Sequence, residues 1–220
     1  EALFMLPSAV IAYIDKQCDL LSFLVVPAVM LLIGFPLSKI KTHIKKFYTK
    51  DGLTAVAFSW IVLCIAGALP YYLSGAIPGF IDSVFESVSG FTTTGASILM
   101  NIEALPRGIL FWRSMTHWLG GMGVLVLALA IIPSIGGSGI YLLKAESPGP
   151  TPSRLVPNLR KSAMILYAIY ICLTLLEITC LKTAGMSLYD AFIHAMGTAG
   201  TGGFSNKNLS VGYYDSAPIE

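Results

Sequence analysis

Between Ser89 and Ser97 the chain reads Ser-Gly-Phe-Thr-Thr-Thr-Gly-Ala-Ser, directly after an amphipathic run from Asp82 to Val88. Three threonines and a glycine make a poor helix. Thr is stiff at χ1, and Gly suits backbone that leaves helical φ/ψ. The stretch lies in a chain of mean hydropathy +0.74 that is 55% hydrophobic and 12% charged, against a charged share of about 25% in soluble domains. A chain this apolar belongs in a membrane. Non-helical backbone is tolerated there only where protein buries it or where it lines a watery cavity. Such a segment has carbonyls to offer, and carbonyl rows can replace the hydration shell of a cation.

The stretch occurs twice. A shift of 108 positions brings Asp82 onto Asp190, Thr93 onto Thr201, Gly95 onto Gly203 and Ser97 onto Ser205. Thr94 falls on Gly202, and Ala96 on Phe204. Each copy has an Asp thirteen residues before its glycine. Tight loops between helices are the plainer alternative. Two copies in register favour a repeated backbone conformation.

The surrounding pattern supplies a topology. Ala2 to Ile14 reads as the tail of a membrane helix interrupted by Pro7, too short for the ~20 residues a crossing needs. Leu20 to Leu37 is long enough to cross, with a kink at Pro27. A basic stretch follows (Lys39, Lys41, His43, Lys45, Lys46, Lys50), and Gly52 to Leu73 crosses back, ending on Tyr71 and Tyr72. Asp82 to Phe91 is too short to cross and reads as a half-helix re-entering from outside. Its C-terminal end carries about half a negative elementary charge, which favours a nearby cation. After Thr92 to Ser97 comes a polar outer loop around Asn101, Glu103 and Arg107, then a descending helix from Ile109 to Pro133 with Gly120, Gly121 and Gly123. Those glycines predict close helix packing ahead of a gating hinge. A second basic stretch holds Lys144, Arg154, Arg160 and Lys161. The two basic stretches carry nine of the fourteen Lys and Arg residues, which places both inside. Then the cycle repeats: Ser162 to Leu181 crosses outward, Leu188 to Thr198 is the second half-helix, and Ala199 to Ser205 is the second extended stretch.

The predicted fold is thus an all-α membrane protein of tandem helix–pore loop–helix repeats, as in potassium channels, with re-entrant half-helices. Residues 1–50 hold the N-terminal membrane helices and the basic loop, 51–145 the first unit, 146–161 a cytoplasmic linker, and 162–220 a second unit lacking its last helix. Both ends look cut, and no signal peptide is read. Four carbonyl-bearing loops surround an ion in a single-file cation pathway, and this chain supplies fewer than two complete units.

Other chemistries find little support. The net charge of +2 is too small to argue for nucleic acid, and Cys18, Cys64, Cys172 and Cys180 show no zinc or disulfide spacing. An intramembrane enzyme would rest on His117, His194, Glu86 and Glu177, but no pair among them has metal-site spacing and no nucleophile motif accompanies them. No cofactor is expected, and the chain reads as a non-enzyme. Glu86 and Arg113 stand out, because a lone charge near the membrane centre costs at least ~2.5–3.5 kcal/mol. They lie on two elements of one unit that should pack together, so they are expected to meet behind the first stretch and brace it. His194 falls where Glu86 falls in the first copy, implying a structural role beside the second. His117 is expected to serve packing in the outer half of its helix.

Four segments carry a family resemblance: Phe91-Thr92-Thr93-Thr94-Gly95-Ala96-Ser97, His117-Trp118-Leu119-Gly120-Gly121-Met122-Gly123, Lys144-Ala145-Glu146-Ser147-Pro148-Gly149-Pro150 and Gly202-Gly203-Phe204-Ser205. Together they resemble the Trk/Ktr potassium-uptake family, the membrane subunit of its Trk branch more closely. The resemblance covers nearly the whole chain. It implies a protein of four helix–pore–helix units with two extra N-terminal helices, forming homodimers in a bacterial or archaeal inner membrane. It also implies a cytosolic nucleotide-binding ring subunit that gates transport. Potassium, as cargo, would bind at Thr93, Thr94, Gly95, Thr201, Gly202 and Gly203. A single shared glycine, in place of the Thr-Val-Gly-Tyr-Gly of potassium channels, implies weaker discrimination among potassium, rubidium and sodium. Sodium-coupled uptake, as in the Ktr branch, is the alternative. The family's gating loop belongs to a third unit, outside this sequence.

Overall fold

The computed structural model describes residues 1–17, 19–39, 49–123 and 159–219. Its regular structure is helical: α1 (Leu6–Ile14), α2 (Leu20–Ser38), α3 (Thr49–Leu73), α4 (Phe80–Phe91), α5 (Arg107–Met122), α6 (Leu159–Thr183) and α7 (Leu188–Ala199). Short 3₁₀ turns cover Ala2–Met5 and Ser210–Tyr214. Among the described residues, three helices contain stretches long and apolar enough to cross a membrane: Leu20–Ser38, Thr54–Leu73 and Ala163–Thr183. The outward side chains of α2 and α6, among them Leu31, Leu32, Leu173 and Leu176, are exposed, as a lipid-facing surface requires. Most of the basic stretch after α2 and all of 124–158 lie outside the described residues, as does Cys18. The other three cysteines are free thiols.

The two half-helices are 12 residues each, about 18 Å long at 1.5 Å per residue, well short of a ~30 Å hydrocarbon core. α4 begins two residues before the expected Asp82, with Gly79 as its N-cap. α7 begins where expected, because the Ser187 hydroxyl accepts from the Asp190 backbone N–H at 3.1 Å and satisfies one of the first turn's free donors.

α5 is the centre of the molecule. From Gly108 to His117 every residue is buried, whereas an ordinary surface helix buries one stripe. It packs against α1, α4 and α7. Trp112 is fully buried, stacks edge-on against Phe91, and donates its indole N–H to the Gly67 carbonyl of α3 at 3.0 Å. Of the helix expected from Ile109 to Pro133, the described residues show the part to Met122, where Gly123 takes φ +67°; 124–133 lie outside them. The glycines in its last turn do serve close packing. A Cβ at Gly120 would lie 2.1 Å from the Phe91 carbonyl oxygen, and one at Gly121 would lie 2.8 Å from the Gly200 Cα. The helix therefore slides between the C-terminal ends of both half-helices with no side-chain layer in between.

At the outer end, Arg107 pairs with Asp15 at 3.3 Å and lies 4.2 Å from the centre of the Tyr189 ring. Asp19 is buried beside Gly108, and neither carboxylate oxygen has a hydrogen-bond partner among the described residues. Burial raises its pKa from the ordinary aspartate value.

Candidate functional site

Both half-helices end in the same way. In α4 the Thr93 N–H returns to the Gly90 carbonyl at 3.0 Å, and the Thr94 N–H to the Ser89 carbonyl at 2.9 Å. In α7 the Thr201 N–H returns to Thr198 at 2.8 Å, and the Gly202 N–H to Gly197 at 3.1 Å. This is the paired 5→2 and 6→1 bonding of a Schellman motif, which needs a left-handed residue one past the cap. Thr93 and Thr201 take that place, at φ +56° and +60°. A β-branched residue is among the least suited to it, at a cost of roughly 1–2 kcal/mol. Gly95 and Gly203 are also left-handed, at +77° and +79°, while Thr94 and Gly202 between them are not.

The stretches are therefore not extended as expected. A strand would turn successive carbonyls to opposite sides. Alternating the sign of φ turns every second peptide plane over, which is how a short backbone can bring successive carbonyls toward one side. The two stretches touch: a Cβ at Gly95 would lie 2.0 Å from the Gly202 carbonyl oxygen. Residues more than a hundred positions apart thus meet backbone to backbone.

The support behind the stretches is paired as well. Glu86 accepts from the Ser97 hydroxyl at 2.9 Å and from the Ile98 N–H at 3.1 Å. His194, its counterpart, meets the Ser205 hydroxyl through Nε2 at 3.1 Å, while its Nδ1 faces the Asp190 carbonyl at 2.9 Å. Each serine oxygen also accepts a backbone N–H two residues on, from Leu99 at 3.1 Å and from Lys207 at 2.9 Å. So each half-helix holds the exit of its own stretch through one side chain and one serine.

Glu86 and Arg113 do meet. The guanidinium Nε lies 2.5 Å from Glu86 Oε1, with the two side chains 3% and 0% exposed. Arg113 does more than the sequence suggested. It donates to the Ser205 carbonyl at 3.0 Å and lies 3.5 Å from the centre of the Phe204 ring, so a first-unit side chain also holds the second stretch. His117 lies against Gly202 rather than merely serving packing within its own unit. The outer loops are linked too, with the Asn208 carboxamide oxygen accepting from the Ile102 N–H at 2.9 Å and its amide donating to Asn101 at 3.2 Å. No sequence signal singled out Asn208. Among the described residues, no three His, Cys, Asp or Glu side chains group to hold a metal ion.

A family model described as TrkH, cation transport protein, matches residues 24–220. The chain belongs to the TrkH family. The Trk system potassium uptake protein TrkH of Halomonas elongata is 44% identical over 178 residues, covering 80% of this chain and 37% of the relative. TrkH of Escherichia coli K12 is 40% identical over 200 residues, covering 90% and 41%. The crystal structure of the potassium transporter TrkH from Vibrio parahaemolyticus superposes with a TM-score of 0.78 at 33% identity, over 99% of this chain and 44% of that one. The chain thus spans less than half the length of these TrkH relatives. The helical membrane architecture read from the sequence is the family's own, and the family is one of transporters.

Proposed function

We propose that the chain is part of a potassium-uptake protein of the inner membrane. In this reading, Thr93–Gly95 and Thr201–Gly203 are two of four selectivity-filter segments around one pore. The observation that carries it is the backbone contact of two equivalent stretches at the ends of two half-helices, where Gly95 meets Gly202. Left-handed threonines in both copies add to it, since backbone strain that recurs at equivalent positions is kept where function uses it. A helix C-terminus behind each stretch favours a cation in front of it. Glu86, Arg113 and His194 brace the filter from behind. The TrkH relatives are potassium uptake proteins, which supports potassium as the cargo. We extend the reading to a homodimer, one pore per protomer, gated by a cytosolic nucleotide-binding ring subunit.

The test uses the full-length protein with its regulatory subunit in a bacterium lacking its own potassium uptake. Growth at low potassium and saturable potassium influx are expected. Protein present in the membrane with no potassium influx would overturn the reading.

A further inference from the structure

Between Thr93–Gly95 and Thr201–Gly203 the difference is the middle position, Thr94 in one and Gly202 in the other. Thr94 has a side chain of its own, tied locally to the Thr92 hydroxyl at 2.8 Å. Gly202 has none, and the space is not empty. A Cβ built there would lie 2.1, 2.2 and 2.6 Å from Nε2, Cδ2 and Cε1 of His117. The imidazole edge stands where a side chain would begin. It comes from α5, an element of the first unit.

His117 also touches the residue on the other side of Thr201. A Cβ at Gly200 would lie 2.5 Å from the His117 carbonyl oxygen. The backbone of His117 thus rests on Gly200 and its ring on Gly202, so one residue brackets the left-handed threonine. The ring is itself held. It is fully buried and lies 3.9 Å, centre to centre, from Phe204, whose ring also carries the Arg113 guanidinium. Neither ring nitrogen has a hydrogen-bond partner among the described residues. What His117 offers Gly202 is therefore contact and shape.

We infer that His117 is a positioning residue for ion selectivity, setting the place of the Gly202 peptide from behind the second filter stretch. This rests on the proposed potassium-filter reading of Thr201–Gly203. Whether selectivity comes from the size of the carbonyl cage or from the number and field of its dipoles, it depends on where the carbonyls are held. Close packing transmits a change behind the peptide directly to it. In the first stretch that position is set from within. In the second it is set by a residue of the other unit.

The experiment compares four variants of the full-length transporter, with its regulatory subunit, in proteoliposomes: His117→Ala, His117→Phe, Gly202→Ala and His117→Ala/Gly202→Ala. Potassium and sodium uptake are measured separately on protein normalised by size-exclusion recovery. Small steric changes at a recognition site are worth about tenfold or more in discrimination, so His117→Ala should lower the potassium-to-sodium ratio about tenfold, with a smaller fall in maximal potassium rate. His117→Phe keeps a ring in the space and should hold the ratio within roughly twofold. Gly202→Ala should lose potassium transport. The double variant, where the new methyl takes the vacated space, should recover part of it. A wild-type ratio in His117→Ala, a Phe variant as unselective as the Ala variant, or a double variant no better than Gly202→Ala would each overturn the inference. Should His117→Ala not fold, the comparison of Gly202→Ala with the double variant still decides. A wild-type protein that moves no potassium would instead bring down the underlying filter reading.

Discussion

The two half-helix units share a backbone and differ in what holds it. In both, a 12-residue helix stops at a Schellman turn with a left-handed threonine, and a glycine follows two residues on. In both, a side chain one turn and a half before the helix end binds the serine that closes the stretch. In the first unit that side chain is a carboxylate, Glu86, and in the second an imidazole, His194. A buried carboxylate needs a counter-charge, and Arg113 supplies it at 2.5 Å. The imidazole bonds a hydroxyl and a backbone carbonyl, yet the same arginine reaches across to the Ser205 carbonyl. A repeated backbone can therefore be kept by unlike chemistry, provided one shared element closes both sets of bonds. Here that element is α5.

The largest effect is expected from removing one member of the charged pair. Separating a buried ion pair typically costs about 3–5 kcal/mol, because the survivor is left desolvated. Arg113→Met and Glu86→Gln should each lower the thermal midpoint of the purified full-length protein strongly. The double variant should lose less than the sum of the two. Additive losses would mean that the two side chains act independently.

Next in size is the contrast between the two left-handed glycines. Gly95→Ser would put a Cβ on the Gly202 carbonyl, while Gly203→Ser has open space among the described residues and meets only backbone strain. At roughly 1–2 kcal/mol for a left-handed L-residue, Gly203→Ser should shift ion preference mildly. Gly95→Ser should remove most potassium uptake at near-normal expression. Equal effects on uptake in the two variants would break the assigned asymmetry.

His194→Gln should cost less than Glu86→Gln. It disturbs bonds to a hydroxyl and a backbone carbonyl, hydrogen bonds worth about 0.5–1.5 kcal/mol each, and leaves no charged partner behind. Thermal midpoints measured side by side at neutral pH check this. A His194 variant as damaging as the Glu86 variant would show that charge is not what separates the units.

Helix placement and the Glu86–Arg113 encounter were legible because each follows from a local rule. Apolar run lengths separate crossing helices from half-helices, and two intramembrane charges at similar depth on packed elements have few places to go. The left-handed threonines were not legible. Their β-branching argues for extended backbone, and only the need to satisfy the last carbonyls of α4 and α7 overrides it. His117 and the second role of Arg113 were also hidden. Sequence periodicity tells which face of α5 is apolar, but α5 is buried all round, so periodicity selects no neighbour. Gly202 carried a faint signal, as a missing side chain where the first copy has Thr94.

The smallest effect is expected far from the comparison, at Asp19. Burial raises its folded pKa, so its favourable contribution is complete below the unfolded carboxyl pKa and is lost as pH rises through the folded value. Above that value the charged form is less favoured in the folded chain than in the unfolded one. Asp19→Asn should therefore raise the thermal midpoint slightly at neutral pH and flatten its fall above the acid range. A lower midpoint at neutral pH would show that the charge is wanted.

The reach of Arg113 also sets an order in time. Its carboxylate partner lies 27 positions earlier, and the Ser205 carbonyl 92 positions later. At about 5–20 residues per second of synthesis, the Glu86 pair has several seconds to close before Ser205 exists. The first stretch can thus be assembled on its own helices, with one arginine N–H still free. The second stretch then arrives at a finished surface and docks on it, the earlier unit serving as its template during biogenesis.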